Sequence, residues 1–123
     1  MPKILIVEDM PDSAELAAQI LRKFGHEPLI ADSGERGLRL AEEHNPDLIV
    51  YDYWLPDIDA RSFLTRLRSI ESLASVPVVV CTATPTAAMN DVLGEKGFDA
   101  IIRKPYRLSN FLEVIEGQLK AND

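Results

Sequence analysis

The stretch Lys3-Ile4-Leu5-Ile6-Val7-Glu8-Asp9 joins a short, largely apolar run directly to two carboxylates. A short continuous apolar run is typical of a strand that is buried on both faces of a parallel sheet. Three later runs also end in polar residues, namely Leu48–Tyr51 before Asp52, Val76–Cys81 before Thr82, and Ala100–Arg103 before Lys104-Pro105. The carboxyl ends of parallel strands lie at one edge of the sheet, so we expect these polar groups to converge there.

Polar groups that gather at one sheet edge restrict the chemistry of the site. Carboxylates that are brought together repel each other unless a cation joins them. A lysine beside them favours an anion in the same place. A cation held by carboxylates next to an anion is the arrangement that magnesium-assisted phosphoryl transfer requires.

The rest of the chain alternates between strand and helix patterns. Strands are predicted at Lys3–Val7, Glu27–Ala31, Leu48–Tyr51, Val76–Cys81 and Ala100–Arg103. Five helices are predicted. The first spans Asp12–Phe24, and the second runs from a capping box formed by Asp32 and Glu35 to about His44. The third follows a cap at Asp59, the fourth spans about Thr86–Glu95, and the fifth follows a cap at Ser109. Strict alternation with apolar strands predicts an α/β fold in which helices cover both faces of a parallel sheet. No linker or second domain is visible, so we expect a single domain over residues 1–123.

Composition excludes several classes of protein. The chain has 123 residues and a formal net charge of −7, which argues against direct binding to nucleic acid, because phosphate backbones attract an excess of Lys and Arg. Its single cysteine, Cys81, cannot form an internal disulfide, and no apolar stretch approaches the roughly 20 residues of a membrane span. We therefore expect a cytoplasmic domain without a membrane partner.

Five motifs together resemble the response-regulator receiver domain of two-component signalling. They are Ile4–Asp9, Pro46–Asp52, Leu55–Asp59, Pro77–Ala83 and Lys104-Pro105. Each motif is weak alone, but all five occur in order at suitable spacing, and the resemblance covers essentially the whole chain. The resemblance implies a flavodoxin-like, doubly wound (βα)5 fold with a five-stranded parallel sheet in the order 2-1-3-4-5, and a receiver domain with no effector domain.

The resemblance also implies a set of site residues. Asp52 matches the phosphoacceptor, and Mg²⁺ is the implied cofactor. Asp9, Asp52, the backbone carbonyl of Trp54 and, through water, Glu8 match the metal-binding positions. Oxygen ligands of this kind are the ones that Mg²⁺ prefers.

Two further residues match those that bind the phosphoryl group. The Thr82 hydroxyl and the Lys104 ammonium match the groups that contact phosphoryl oxygens and compensate the charge that develops in transfer. The implied donor is a sensor histidine kinase or a histidine phosphotransfer protein. The implied output is a contact with a downstream protein through the face formed by the fourth helix, the fifth strand and the fifth helix. Such a domain catalyses only its own phosphorylation and dephosphorylation, so we do not expect an enzyme that acts on other substrates.

Three positions depart from the family pattern. Ile101 replaces a usual aromatic residue three positions before Lys104, Ala60 replaces a usual glycine, and Trp54 stands where smaller or polar residues are commoner. These departures motivate an alternative, a receiver-like scaffold that works without phosphorylation. A phosphatase with a nucleophilic aspartate is disfavoured, because it needs a second aspartate two residues after the nucleophile, where this chain has Trp54.

Overall fold

Five short strands form one parallel sheet, and the sheet sets the position of every site residue. The structure is a computed structural model that describes residues 2–53, 55–82, 98–103 and 107–121. The strands are β1 Lys3–Val7, β2 Glu27–Ala31, β3 Leu48–Asp52, β4 Val78–Thr82 and β5 Ala100–Arg103. All four neighbouring pairs are parallel, and the strand order is β2-β1-β3-β4-β5. The expected flavodoxin-like order is thus confirmed.

Helices cover both faces of this sheet. They are α1 Pro11–Lys23, α2 Gly34–His44, α3 Ala60–Arg68, a short 3₁₀ turn at Glu71–Leu73, and the C-terminal helix Leu108–Ala121. The helix predicted at about 86–95 lies outside the described residues. No helix within the described ranges has the length and apolar run that a membrane crossing needs.

Each sheet face carries its own apolar cluster, because alternate residues of a strand point to opposite faces. On one face, α2 and α3 bury Leu38, Phe63 and Leu67 against the sheet. On the other face, α1 and the C-terminal helix bury Leu21 and Phe111. The central strands are therefore buried on both sides, as their continuous apolar runs predict.

The start of α2 differs from the prediction by one residue. Ser33, not Asp32, is the N-cap: its backbone is extended, and its Oγ accepts a hydrogen bond from the Arg36 N–H at 3.1 Å. Glu35 does not complete a capping box with Asp32, because its carboxylate binds the guanidinium of Arg66 instead. Asp and Ser are equally good N-caps, so adjacent candidates cannot be separated by residue type.

Other boundaries also differ from the prediction, including those of α1, which lie one residue earlier at both ends. β4 begins at Val78, because the carbonyl of Val76 accepts a hydrogen bond from Arg68 Nη1 at 2.6 Å and so belongs to the preceding turn. The C-terminal helix begins at Leu108, one residue before the predicted cap at Ser109. Its first turn is closed by the N–H of Phe111, which donates to the Arg107 carbonyl at 3.0 Å.

β2 is an edge strand, and its second residue is a proline. The N–H of Glu27 donates to the carbonyl of Pro2 at 2.8 Å, so this N–H points toward β1. Successive N–H groups of a strand point to opposite sides. The ring nitrogen of Pro28 therefore lies on the outer edge of the sheet, where proline removes a donor without breaking the ladder.

Candidate functional site

The carboxyl edge of the sheet brings together the polar residues that follow β1, β3 and β4. Val7 of β1 is in register with Tyr51 of β3. The residues that follow them, Glu8 and Asp52, are therefore neighbours across the two strands. Asp52 is in register with Cys81, and Thr82 ends β4 one position further on. Since neighbouring strands lie about 4.8 Å apart, three separate parts of the sequence meet at one place.

Three carboxylates form a close cluster at this edge. One oxygen from each of Glu8, Asp9 and Asp52 lies within 4.8 Å of the others. Glu8 is only 5% exposed, Asp52 is half-buried and Asp9 is exposed. The cluster therefore runs from the interior to solvent, so water has access to one side of it.

The cluster fits a hard divalent cation. Its donors are all carboxylate oxygens, which Mg²⁺ and Ca²⁺ prefer over nitrogen and sulfur. Mg²⁺ usually keeps several of its waters, and the exposed side at Asp9 leaves room for them. A bound cation would also offset the repulsion between three negative charges that are this close together.

Thr82 lies beside this cluster but has no accessible surface. It is 0% exposed at the end of β4. The backbone there is held in place, because the Tyr53 N–H just past β3 donates to the carbonyl of Cys81 at 3.0 Å. Cys81 itself is buried within the apolar cluster of the α1 face.

A small cavity extends from the cluster toward α1. Its volume is about 20 Å³, close to the space of a single water molecule. Glu8 and Asp52 line it, together with Ser13 and Ala17 of α1 and Cys81 of β4. The sequence patterns gave no reason to single out Ser13, because a serine in the first turn of a helix is common.

The loop that follows Asp52 is tied down on both sides. The buried Tyr51 hydroxyl donates a hydrogen bond to the Ile58 carbonyl at 2.8 Å. The Asp57 carboxylate accepts hydrogen bonds from the Gly34 and Glu35 N–H groups of α2, both at 3.0 Å. Asp57 therefore caps a helix that lies more than twenty residues earlier in the chain. Tyr51 was not predicted to take part at all.

The titration of the loop carboxylates follows from these contacts. Partial burial raises the pKa of Asp57, but backbone N–H groups of Gly34, Glu35, Asp57 itself and Ile58 together outweigh it and lower the pKa. The Ser62 N–H and hydroxyl, both bound to the Asp59 carboxylate, lower the pKa of Asp59. Burial, with the nearby charges of Asp57, Asp59 and Asp52, raises the pKa of Tyr51. At neutral pH the two carboxyls are charged and the phenol keeps its proton.

Two of the three departures from the family pattern fall on described residues. Ala60 is the first residue of α3 and is buried, and the one non-glycine residue with positive φ in the described ranges is Asn45. Alanine at position 60 therefore adds no backbone strain. Ile101 is half-buried and packs against the apolar cluster of the α2 and α3 face. Trp54, Ala83 and Lys104-Pro105 lie outside the described residues.

Comparisons with known proteins agree with this geometry. A family model for the response regulator receiver domain matches residues 4–116. The polar-differentiation response regulator DivK of Brucella ovis is 32% identical over 116 residues, which are 94% of each chain.

Solved structures share the fold. A CheY-like response regulator receiver domain protein from Methanospirillum hungatei superimposes with a TM-score of 0.90 at 26% identity, covering 98% of this chain and 95% of that one. The receiver domain of a sensor histidine kinase from Pseudomonas aeruginosa gives a TM-score of 0.87 at 24% identity, covering 97% of this chain and 98% of that one. That second structure has a magnesium ion coordinated in its active site cleft.

Proposed function

Since the chain belongs to the response regulator receiver domain family, we propose that it is a switch that accepts a phosphoryl group on Asp52. The observation that carries this proposal is the approach of Glu8, Asp9 and Asp52 to within 4.8 Å at the carboxyl edge of the sheet. A carboxylate in such a place can act as a nucleophile toward phosphorus. The half-buried position of Asp52 leaves part of its side chain open to a donor.

The metal in this proposal is Mg²⁺, held by Asp9, Asp52 and the backbone carbonyl of Trp54, with Glu8 acting through water. The all-oxygen donor set and its solvent-facing side support the assignment. When bound, Mg²⁺ neutralises negative charge on the phosphoryl oxygens. The magnesium ion in the active site cleft of the Pseudomonas aeruginosa receiver domain, a protein of the same fold, is consistent with this choice.

The transfer itself uses Asp52, Thr82 and Lys104. A carboxylate oxygen of Asp52 attacks the phosphorus of a phosphohistidine, and an O–P bond forms as the P–N bond breaks. The histidine nitrogen keeps the bonding electron pair and takes up a proton from water. The Thr82 hydroxyl donates a hydrogen bond to one phosphoryl oxygen and the Lys104 ammonium pairs with another, which stabilises the charge on the transferred group.

The proposed partners are a histidine kinase or a histidine phosphotransfer protein on the input side and another protein on the output side. The output face is the segment at about 86–95, β5 and the C-terminal helix. Contacts of Thr82 and Lys104 with the phosphoryl group would shift a pre-existing equilibrium of this face. Cytoplasmic location is part of the same proposal.

Intact mass spectrometry tests the phosphoacceptor directly. The parent is incubated with a histidine kinase or a small acyl phosphate, with Mg²⁺ or with a chelator. We expect one added phosphoryl group with Mg²⁺, a much smaller amount with chelator, and none in Asp52→Asn. Asp59→Asn is the matched control, because it neutralises a nearby carboxylate that caps α3 and lies outside the cluster.

A scaffold that works without phosphorylation is the second candidate. The observation in its favour is Ile101, a half-buried aliphatic residue that packs against the apolar cluster where the family usually has an aromatic residue. Absence of any added phosphoryl group across several donors, with the protein folded, would select the scaffold and exclude the switch.

A further inference from the structure

A small cavity lies between the acidic cluster and the first two turns of α1. Its volume of about 20 Å³ exceeds the roughly 10–15 Å³ that one buried water requires. Glu8 and Asp52 line it from the sheet edge, and Ser13 and Ala17 line it from α1. Residues four apart on a helix lie on the same face, so both α1 residues face the sheet here. The cavity therefore has room for one water beside two of the three carboxylates.

The polar groups around the cavity suit a water in number and in kind. A buried water makes about three hydrogen bonds. Ionised carboxylates only accept hydrogen bonds, so a water that donates one proton to Glu8 and one to Asp52 still needs a donor to its own oxygen. Among the lining residues, Ser13 carries a hydroxyl that can donate, the Cys81 thiol is a weak donor, and the side chain of Ala17 has no polar atom. Ser13 thus supplies the third hydrogen bond.

The two walls of the cavity are held in place by backbone hydrogen bonds. The Glu8 N–H donates to the Ala31 carbonyl at 2.9 Å, which ties the end of β1 to β2. The Ala14 N–H donates to the Met10 carbonyl at 3.0 Å, which closes the first turn of α1 around Ser13. Glu8 is only 5% exposed, so its charge must be stabilised from the interior, by hydrogen bonds to the protein or to ordered water. A water held at Ser13 reaches this carboxylate from the α1 side.

From this arrangement we infer that Ser13 is a positioning residue for the metal site. Its hydroxyl holds one buried water, and that water holds the carboxylates of Glu8 and Asp52 together. The inference rests on the proposed function, in which these carboxylates bind Mg²⁺. Groups that hydrogen-bond behind metal ligands orient them, and their loss weakens metal binding. Without the hydroxyl the water loses its donor, and the two negative charges are less firmly held against their repulsion.

Isothermal titration calorimetry of Ser13→Ala and Ala17→Val with Mg²⁺ tests the inference. Ser13→Ala removes the hydroxyl and keeps the cavity, whereas Ala17→Val fills the cavity and keeps the hydroxyl. We expect the Kd for Mg²⁺ to rise about threefold to tenfold in each variant, the range that corresponds to one lost hydrogen bond. The two changes alter the volume of the side chain in opposite directions, so a shared loss of affinity points to the water.

Two matched controls separate loss of the water from loss of stability. Ala18→Val adds the same volume at the next residue of α1, which is buried in the apolar cluster of that face and does not line the cavity. Ser33→Ala removes a hydroxyl that caps α2. Both controls should unfold at a lower temperature than the parent and bind Mg²⁺ with the same Kd. Thermal unfolding shows which variants are folded at the titration temperature, and if Ala17→Val is not, Ser13→Ala alone decides.

Crystal structures of the parent and of Ser13→Ala give a second readout that does not depend on metal affinity. We expect an ordered water in the cavity of the parent, within hydrogen-bond distance of Ser13 Oγ and of one carboxylate oxygen each from Glu8 and Asp52. In Ser13→Ala this water should be lost or displaced. A dry cavity in the parent overturns the inference and leaves the metal site standing.

The titrations distinguish the inference from the proposed function. If the parent binds Mg²⁺ and Ser13→Ala binds it equally well, the inference is overturned and the metal site stands. If the controls weaken binding as much as the two test variants do, general loss of stability is the cause and the inference is also overturned. If the parent binds no Mg²⁺, the metal site fails and the inference fails with it.

Discussion

Arg66 of α3 and Glu35 of α2 form a bidentate ion pair, in which Nη1 donates to Oε1 at 2.6 Å and Nη2 donates to Oε2 at 2.9 Å. This fork geometry is the strongest arrangement available to an arginine and a carboxylate. The hydrogen bonds from Arg66 lower the pKa of Glu35 below its ordinary value of 4.5, with slight burial acting in the opposite direction. The pair joins the two helices that cover one face of the sheet.

The ion pair makes a pH-dependent contribution to stability that Glu35→Gln removes. Because the folded-state pKa of Glu35 is lowered, the contribution is present above the unfolded pKa and is lost as pH falls through the folded pKa. We expect the unfolding temperature of Glu35→Gln to lie slightly below that of the parent at neutral pH, and the gap to close well below pH 4.5. Both side chains are exposed, so added salt should also narrow the gap. Glu42→Gln, on the exposed side of the same helix, is the control; a gap that is constant with pH would contradict the assignment.

Two glycines in helices should respond to alanine in opposite directions. A Cβ on Gly37 of α2 would lie 2.8 Å from Cγ2 of Val7, a fully buried residue of β1, whereas a Cβ on Gly117 would meet nothing within 4 Å. We expect Gly37→Ala to lower the free energy of unfolding by about 1–3 kcal/mol through overpacking. Gly117→Ala should raise it by up to about 1 kcal/mol, because alanine favours the helix. Urea unfolding of both variants measures the difference, and changes of the same sign would be inconsistent with this packing.

The acidic cluster should destabilise the protein when no cation is bound. Asp9→Asn removes one of three charges that lie within 4.8 Å of one another, so in chelator we expect a gain in stability of up to about 1 kcal/mol. Added Mg²⁺ should stabilise the parent, by about 2.7 kcal/mol at a hundredfold excess over Kd, and should stabilise Asp9→Asn much less. Thermal unfolding across a Mg²⁺ series checks both effects. Asp12→Asn, an exposed carboxylate in the first turn of α1, should keep the Mg²⁺ response of the parent.

Trp54 is predicted to lengthen the life of the phosphorylated state. Its large apolar side chain follows two residues after Asp52 and can shield an acyl phosphate from attacking water. We expect Trp54→Asn to lose its phosphoryl group several times faster than the parent. Loss of phosphate from the isolated phosphoprotein, followed by intact mass over time, measures the rate. Equal rates for parent and variant would rule out shielding.

The sequence was sufficient for the sheet and for the acidic cluster, because both depend on local patterns. Continuous apolar runs identified the five strands, and the rule for parallel strand ends brought Glu8, Asp9 and Asp52 together. The errors lie at the ends of helices and strands. Asp32 was predicted to cap α2, but the equally suitable Ser33 is the N-cap. Val76 was predicted to begin β4, but its carbonyl accepts a hydrogen bond from Arg68 in the preceding turn. These choices depend on individual side-chain hydrogen bonds, which the apolar pattern does not report.

The hydrogen bonds of Tyr51 and Asp57 could not be predicted from the sequence either. A tyrosine before the acceptor aspartate looks like an ordinary strand residue, and an Asp-rich turn looks like a local cap. Tyr51 binds the Ile58 carbonyl at the far end of its own loop, and the partners of Asp57 become evident only when α2 is placed against that loop. Long-range hydrogen bonds of this kind leave no periodic signal along the chain.

Pro28 on the outer edge of β2 bears on how the protein behaves at high concentration. An open strand edge is a template on which other chains can add, and this is a common start of aggregation and of amyloid growth. The missing N–H of Pro28 interrupts the row of donors that an incoming strand would need. The outer edge of β2 is thereby protected, at this position, from pairing with a strand of another chain.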